Sequence, residues 1–406
     1  MTSSYFRHAL VLGLLCAIGP FAIDMYLPAL PSIAADLNAS TAATQMTIMA
    51  FFIGFGLSQL IYGPVSDIVG RKPPVYFGLV VFFFASIGCA FAPSIEWLIA
   101  LRFIQGIGGA GPLIIPRAII RDMHTGVEAT KLLSLVMLVF SVCPILAPLV
   151  GSGLIVPFGW RAVFVAIGIV AALGMILLYT AQEETHPKHA RVKAEMRAVM
   201  RGYGRLVRHK RFLGLTSIGA LGMGSFFCFL ASSSFIYINH FGLTPTQYSF
   251  GFSINAVGFI AASQFSATLG QRFGMANVIK TAVSIYSVMA LVLLGVTLAG
   301  ADNLYVLATL LFFTFAGLGL VVPATMVLAL DDHGPIAGMA AALGGTIQMV
   351  LGGVMIVIVS QFFDGTPRPM VIAIAGCAIM AFIIAHTTLR KRERVPGHVE
   401  QPGPAL

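Results

Sequence analysis

The sequence predicts an all-α polytopic membrane protein in which 12 transmembrane helices form two pseudo-symmetric six-helix bundles. The composition, the number of long apolar segments and the place of the most polar segment predict this class. Of the 406 residues, 58% are hydrophobic and only 10% are charged, and the mean hydropathy is +0.93. A chain with so little polar surface is not expected to form a water-soluble globule.

Charged, proline-rich and glycine-rich breaks divide the chain into 12 apolar segments, which we number spans 1 to 12. Each is long enough to cross a bilayer as a helix of about 20 residues. No cleavable leader is expected, because span 1 is too long for a signal peptide and lacks a small-residue cleavage site. The predicted ranges are 7–30, 43–66, 74–93, 96–121, 129–156, 158–182, 212–240, 246–271, 275–299, 303–330, 335–363 and 368–390.

The most polar stretch separates six spans from six and is the predicted domain boundary. We expect an N-terminal bundle at 1–182, a cytoplasmic linker at 183–211, a C-terminal bundle at 212–392 and a cytoplasmic tail at 393–406. The linker's basic residues recur every three to six positions, which predicts an amphipathic helix lying along anionic headgroups. A binding site for a partner protein is the alternative. These basic residues are Arg191, Arg197, Arg201, Arg205 and Arg208.

Basic residues are concentrated in the loops on one side of the predicted membrane domain. The opposite loops hold only Arg161 and Arg368. Because short loops rich in Lys and Arg stay in the cytoplasm, both termini are expected on the cytoplasmic side of a bacterial inner membrane. The net charge of +9 is therefore a topology signal. No nucleic-acid partner is expected, since the basic residues are scattered among short loops.

Enzymatic chemistry and metal binding are not predicted. The sequence has no Asp-rich metal motif, no nucleophile with a partnered His and no phosphate-binding loop. The cysteines are spread through the predicted spans at no metal-ligand spacing, so we expect them to pack as small apolar residues. They are Cys16, Cys89, Cys143, Cys228 and Cys377. No cofactor is expected.

One acidic and one basic residue lie inside predicted spans. Asp24, in "GPFAIDMYLP", costs roughly 2.5–3.5 kcal/mol to insert, and Arg102 cannot shed its proton. Each lies about six residues from the predicted outer end of its span, which places both roughly 9 Å below one membrane surface. These depths allow an ion pair or a water-bridged pair. We therefore predict proton coupling at Asp24 and Arg102; the alternative is that Asp24 only anchors packing or caps the turn left open by Pro28.

Three glycine- and proline-rich motifs predict helix ends and close helix contacts. "GPVSDIVGRKPP" ends span 2 and gathers charge at the cytoplasmic surface, where it can pair with a neighbouring helix end in one conformation and release it in another; the alternative is an ordinary charged turn. In span 4, small residues after Arg102 allow another helix to approach closely. The prolines of "CPILAPLVGSG" are expected to bend span 5. The predicted conformational-switch residues are Gly63, Asp67, Gly70, Arg71, Arg121, Asp122, Pro144, Pro148 and Gly151.

Candidate substrate contacts combine aromatic rings with a few hydroxyl and amide groups, which suit lipophilic compounds. Helix packing or contact with lipid is the alternative for each of them. They are Tyr26, Met49, Phe52, Gln105, Phe227, Ser234, Tyr237 and Phe312.

These motifs resemble those of the major facilitator superfamily, and within it the proton-driven drug antiporters related to bicyclomycin- and chloramphenicol-resistance exporters. "GPVSDIVGRK" is similar to the helix 2–3 signature, "LRFIQGIG" to the helix 4 signature and "DMYLPALP" to the helix 1 pattern of the exporter subgroup. Ile68 replaces a usual basic residue. Ala147-Pro148 and Gly151-Ser152 stand where the helix 5 antiporter signature has Gly-Pro and Gly-Gly.

The resemblance implies the major facilitator fold, with a central cavity lined mainly by spans 1, 4, 7 and 10. It implies a monomer that exports lipophilic neutral or cationic compounds by alternating access, with protons as the coupling ions. A proton-coupled exporter or symporter of one metabolite is the alternative on the same fold. A downhill facilitator would not require Asp24.

Overall fold

Long helices make up the computed structural model, which describes residues 3–187, 189, 191 and 196–389. Within these residues, 12 helices are long and apolar enough to cross a membrane, as predicted. The predicted tail at 393–406 lies outside the described residues. The bounds are Arg7–Asp36, Thr41–Val69, Lys72–Ala90, Ile95–Met123, Gly126–Phe158, Arg161–Ala181, Lys210–His240, Pro245–Phe273, Met275–Leu298, Leu304–Asp331, Ala337–Phe362 and Arg368–Thr388.

Span 1 is broken in its middle. Its first helix ends at Asp24, a 3₁₀ turn covers Leu27–Ala29, and a second helix covers Leu30–Asp36. Pro28 and Pro31 favour this break, because proline lacks an N–H and is tolerated in the first turn of a new helix. The predicted end at residue 30 is therefore six residues short, since the chain restarts as a helix after the prolines.

Helix packing repeats between the two halves of the chain. Span 1 packs on span 5, span 2 on span 4, and span 3 on span 6. The same pairs recur six spans later as 7 with 11, 8 with 10, and 9 with 12. The predicted pair of pseudo-symmetric six-helix bundles is thus confirmed by how the helices pack.

Two seams join the bundles, one between spans 2 and 11 and the other between spans 5 and 8. The Thr346 hydroxyl donates to the Gly56 carbonyl across the first seam, at 2.7 Å. The Ser249 hydroxyl donates to the Pro148 carbonyl across the second, at 2.8 Å. On the predicted outer side, the Leu30–Asp36 helix also contacts the end of span 7. The bundles are therefore closed against each other at the predicted outer surface.

The linker contains the predicted amphipathic helix, which covers Met196–Arg208. Tyr203 and Leu206 are buried on one side, where the helix packs against spans 7 and 11. The apolar side therefore contacts protein rather than being left for lipid. The arginines are exposed on the opposite side, at Arg197, Arg201, Arg205 and Arg208.

Candidate functional site

Asp24 lies at the break of span 1, as the last residue of its first helix. The side chain is buried, at 6% exposure, and forms no hydrogen bond or ion pair with any described residue. Its carboxyl group lies within electrostatic range of Cys143 in span 5 and Tyr248 in span 8. Asp24 therefore faces the seam between spans 5 and 8.

A glycine in span 5 allows that span to approach the break. A Cβ atom at Gly151 would lie 2.1 Å from the Met25 carbonyl oxygen, so a larger residue would force the helices apart. Three residues earlier in span 5, the Pro148 carbonyl accepts the hydrogen bond from Ser249. Two predicted switch residues, Pro148 and Gly151, thus connect the Asp24 break to the C-terminal bundle; Pro144 lies one turn before Pro148 in span 5.

Arg102 is fully buried in an aromatic cage. Its guanidinium carbon lies 4.5 Å from the ring centroids of both Tyr26 and Phe51, and 5.9 Å from that of Phe164. Its Nη1 donates to the Gln105 Oε1 at 2.6 Å, whereas Nε and Nη2 have no hydrogen-bond partner in the described part of the chain. The cage holds the charge through cation–π contacts, which are strongest when water is excluded.

The structure does not bring Asp24 and Arg102 together as an ion pair. After Asp24 the helix breaks, and the ring of Tyr26 takes the position over Arg102 while the carboxyl group faces spans 5 and 8. The similar depth predicted for the two residues therefore does not produce contact in this conformation. Proton coupling at both residues remains a prediction.

The close helix contact predicted beside Arg102 is present. A Cβ atom at Gly106 would lie 2.2 Å from the Phe51 carbonyl oxygen, and one at Gly54 would lie 2.2 Å from that of Phe103. Spans 2 and 4 are thus in backbone contact at both glycines. This contact brings Phe51 over the guanidinium of Arg102.

Three buried polar atoms of the C-terminal bundle have no partner outside their own group. The Ser234 Oγ forms no hydrogen bond among the described residues, and the Tyr237 hydroxyl and the Asn255 Oδ1 have only each other's side chains within reach. The Tyr237 and Tyr248 rings are 5.9 Å apart, and the Leu27–Ala29 turn packs on spans 7 and 8. We call Ser234, Tyr237, Tyr248 and Asn255 the polar cluster. Unsatisfied buried polar groups of this kind are rare and call for a ligand, a water or a role.

The other predicted substrate contacts fall into two groups. Between the bundles, Phe52 of span 2 stacks on Phe227 of span 7 at 4.2 Å, and Met49 of span 2 packs near Gly353 of span 11. Tyr26 and Gln105 belong to the surroundings of Arg102, where the Tyr26 hydroxyl also bonds Thr47 at 2.7 Å and Gln105 donates to Ser86. Phe312 lies over Gly258 inside its own bundle and joins neither group.

Sequence reasoning singled out neither Tyr248 nor the orientation of Asn255. Tyr248 carries no charge and follows a polar stretch at the start of span 8, so nothing in the pattern distinguishes it from an interfacial tyrosine. The signal that was available is the density of polar residues in span 8, which is the least apolar of the 12 spans.

The charged motif after span 2 forms the predicted cluster at the end of the bundle that is expected to face the cytoplasm. Arg71 Nε donates to Asp122 Oδ2 at 2.7 Å, and its Nη1 pairs with Asp67 and with Ser66 Oγ. Burial opposes the charge, but the two carboxylates outweigh it and raise the pKa of Arg71 above its ordinary value. Gly70 is needed for the turn, with a φ of +103°.

The first part of the linker covers this cluster, which the sequence did not predict. Glu184 accepts hydrogen bonds from the backbone N–H groups of Arg71 and Lys72, at 2.9 and 3.0 Å. Burial opposes ionisation, yet these bonds outweigh it and hold the pKa of Glu184 below its ordinary value. Two predicted switch residues lie apart from the cluster: Arg121 is exposed, and Gly63 has open space around it.

Comparison with known proteins places this geometry in a family. The model of the Major Facilitator Superfamily matches residues 12–357. The chain is 30% identical over 390 residues to a bicyclomycin resistance protein homolog of Haemophilus influenzae, covering 96% of this chain and 97% of that one. It is 28% identical to the multidrug resistance protein D of Escherichia coli, covering 85% and 86%. A D-xylose-proton symporter has the same fold, with a TM-score of 0.73 at 18% identity and coverage of 95% and 97%.

Proposed function

The chain belongs to the Major Facilitator Superfamily, and on that premise we propose that it exports lipophilic neutral or cationic compounds in exchange for protons. The resistance proteins among its relatives support the drug-like substrate class. The contact of Phe52 with Phe227 and the polar cluster support it as well, because they offer aromatic surface with few charges. The protein then works in a bacterial inner membrane with both termini in the cytoplasm.

One observation carries the coupling to protons. Among the described residues, Asp24 is the only acidic side chain that is buried. An acidic residue in hydrocarbon is costly and marks a proton or ion pathway in membrane proteins. Asp24 lies between the two bundles, so its surroundings change when the bundles move relative to each other. Proton binding and release at Asp24 can therefore depend on the conformation.

The proposed cycle alternates the two ligands at this site. With the outer side open, a proton binds Asp24 and the substrate leaves the polar cluster. With the cytoplasmic side open, the proton leaves and a new substrate binds. The membrane potential contributes about 2.3 kcal/mol per charge for each 100 mV, so a cycle that moves net charge is driven by voltage as well as by the pH gradient.

Replacing the carboxyl group tests the proposal. We expect Asp24→Asn to reduce pH-gradient-driven uptake of ethidium into inverted membrane vesicles by at least about tenfold, because the amide cannot carry a proton through the cycle. Downhill exchange of ethidium should continue. Fluorescence quenching in vesicles of matched protein content provides the measurement.

The matched control is Asp364→Asn, the same change at an exposed loop residue. It should leave uphill uptake at the wild-type rate. Uphill uptake by Asp24→Asn at the wild-type rate contradicts the coupling role. Absence of ethidium transport by the wild type, with transport of one metabolite instead, favours the metabolite exporter.

A further inference from the structure

Pro64 leaves a backbone acceptor free in the cytoplasmic half of span 2. It lies inside the helix Thr41–Val69 and has no N–H with which to bond the Leu60 carbonyl, four residues earlier. A carbonyl that has lost its partner within a helix is usually satisfied by another group. The question is which group does so here.

The linker helix Met196–Arg208 supplies that group. The Tyr203 hydroxyl donates to the Leu60 carbonyl oxygen at 3.1 Å, across a separation of 143 residues. Tyr203 is 7% exposed, and burial raises its pKa to about 12. The phenol therefore keeps its proton and remains a donor at every physiological pH.

The same helix contacts the other bundle. A Cβ atom at Gly202 would lie 3.0 Å from the Sδ and Cε of Met339 at the start of span 11, so the linker backbone touches this side chain. The linker helix is thus attached to span 2 on one side and to span 11 on the other. Just beyond it, at the start of span 7, Arg211 pairs with Asp332 at the end of span 10, at 2.9 Å.

We propose that the linker helix is a strap that holds the cytoplasmic half of span 2 against span 11, and that Tyr203 is the residue that positions it. The strap closes the seam where Gly345 lies against Gln59. Because the strap closes the cytoplasmic side and the proposed cycle opens one side at a time, loss of the strap favours the conformation that is closed outside and open to the cytoplasm. A contact shifts a conformational equilibrium only by the difference between its free energies in the two conformations.

Removing one hydroxyl group tests the docking. Tyr203→Phe keeps the ring and loses the donor, so the helix should undock more often. We expect trypsin to cut after Arg201 and Arg205 about 2- to 10-fold faster, as measured by mass spectrometry of the released peptides. Tyr305→Phe, the same change at a tyrosine that is 79% exposed, should leave the cleavage rate unchanged.

Restoring the backbone donor gives the reciprocal test. In Pro64→Ala, residue 64 regains an N–H that can bond the Leu60 carbonyl, so the Tyr203 hydroxyl has a competitor. Tyr203→Phe should then change trypsin cleavage by less than about twofold in the Pro64→Ala background. Equal effects in both backgrounds would show that Tyr203 acts independently of Leu60 and would overturn the assignment.

A distant readout separates a strap from local packing. Ser232→Cys places a thiol between spans 2 and 7 near the predicted outer surface, where the Gln45 amide donates to Ser232 and the site is fully buried. The native cysteines are buried, so a membrane-impermeant maleimide added from outside reports this thiol. Tyr203→Phe should slow labelling about 2- to 10-fold relative to Tyr305→Phe, because the protein then spends less time open to the outside. Faster trypsin cleavage with unchanged labelling would overturn the strap.

Discussion

A guanidinium enclosed by aromatic rings restricts which residue can replace it. Arg102 lies between Tyr26 and Phe51 and uses its planar shape to stack on both while bonding Gln105. A lysine ammonium carries the same charge, but it is compact and strongly hydrated. The positive charge alone therefore does not explain why arginine occupies position 102.

We expect Arg102→Lys to lower the stability of the protein in detergent by about 2 kcal/mol, the scale of a desolvated cation–π contact. The thermal unfolding midpoint provides the measurement. Arg208→Lys makes the same change at an exposed residue of the linker helix, so its midpoint should stay near the wild-type value. Equal midpoints for the two variants would mean that the cage contributes nothing.

The sequence predicted that Asp24 and Arg102 lie inside the membrane but could not predict their neighbours. A rise of 1.5 Å per residue gives the depth of a side chain on a straight helix. It does not give the direction in which the side chain points once the helix breaks, and span 1 breaks immediately after Asp24. The neighbours Cys143 and Tyr248 come from other spans, and no local pattern relates them to Asp24.

At the level of helices, the contact of spans 2 and 4 tolerates no added atom at its centre. We expect Gly106→Ala to reduce the yield of monodisperse protein severalfold, because its Cβ would lie 2.2 Å from the Phe51 carbonyl oxygen. Fluorescence-detected size-exclusion chromatography measures that yield. Gly63→Ala adds the same methyl group where no atom lies within 4 Å, and it should elute with the wild-type profile. A wild-type yield from Gly106→Ala contradicts the close contact.

Glu184 accepts hydrogen bonds from the backbone N–H groups at the start of span 3 and so caps this helix. This cap predicts that the stability of the protein depends on pH. Because the folded state holds the pKa of Glu184 below its ordinary value, its contribution to stability is present above about pH 4.3. It is lost as the pH falls through the folded-state pKa. The unfolding midpoint of wild type should therefore exceed that of Glu184→Gln at pH 6, and the difference should shrink below pH 4.

The neighbouring residue offers the control for this effect. Glu183 is exposed, so Glu183→Gln should match the wild-type midpoint at both pH values. A difference between wild type and Glu184→Gln that stays constant from pH 6 to pH 3 would show that the carboxylate charge does not stabilise the cap.

The helices themselves were largely predictable, because length and apolar content decide whether a segment spans a bilayer. The predicted spans differ from the observed ones mainly at proline-rich ends such as Pro28 and Pro31, where the chain can stop or restart a helix. The cap by Glu184 was not predictable, since it joins residues 113 positions apart with no periodic pattern.

For the molecule as a whole, the distribution of basic residues makes a prediction about orientation. A fluorescent protein fused after residue 389 should fold and fluoresce, because it would remain in the cytoplasm. Alkaline phosphatase fused at the same place should be inactive. Fusions after Gly300, in the loop before span 10, should give the opposite pair of results. Active phosphatase after residue 389 contradicts the predicted orientation.

The packing of six spans on six followed from the sequence, but the seams between them did not. Spans 2 and 11, and spans 5 and 8, meet through single hydroxyl groups, and such groups occur at many other positions in the chain. Which of them cross a seam depends on the rotation of each helix about its axis. That rotation is set by the packing of the whole bundle.

The seams use backbone carbonyls as acceptors. Ser249, Ser253 and Thr346 donate to the carbonyls of residues 148, 145 and 56, and every residue type supplies such an oxygen. Mutations at the accepting positions therefore leave the hydrogen bond intact, whereas loss of the donor removes it. Selection on the seams should act unequally on the two bundles, with spans 8 and 11 keeping their hydroxyl groups while the facing positions of spans 5 and 2 are free to diverge.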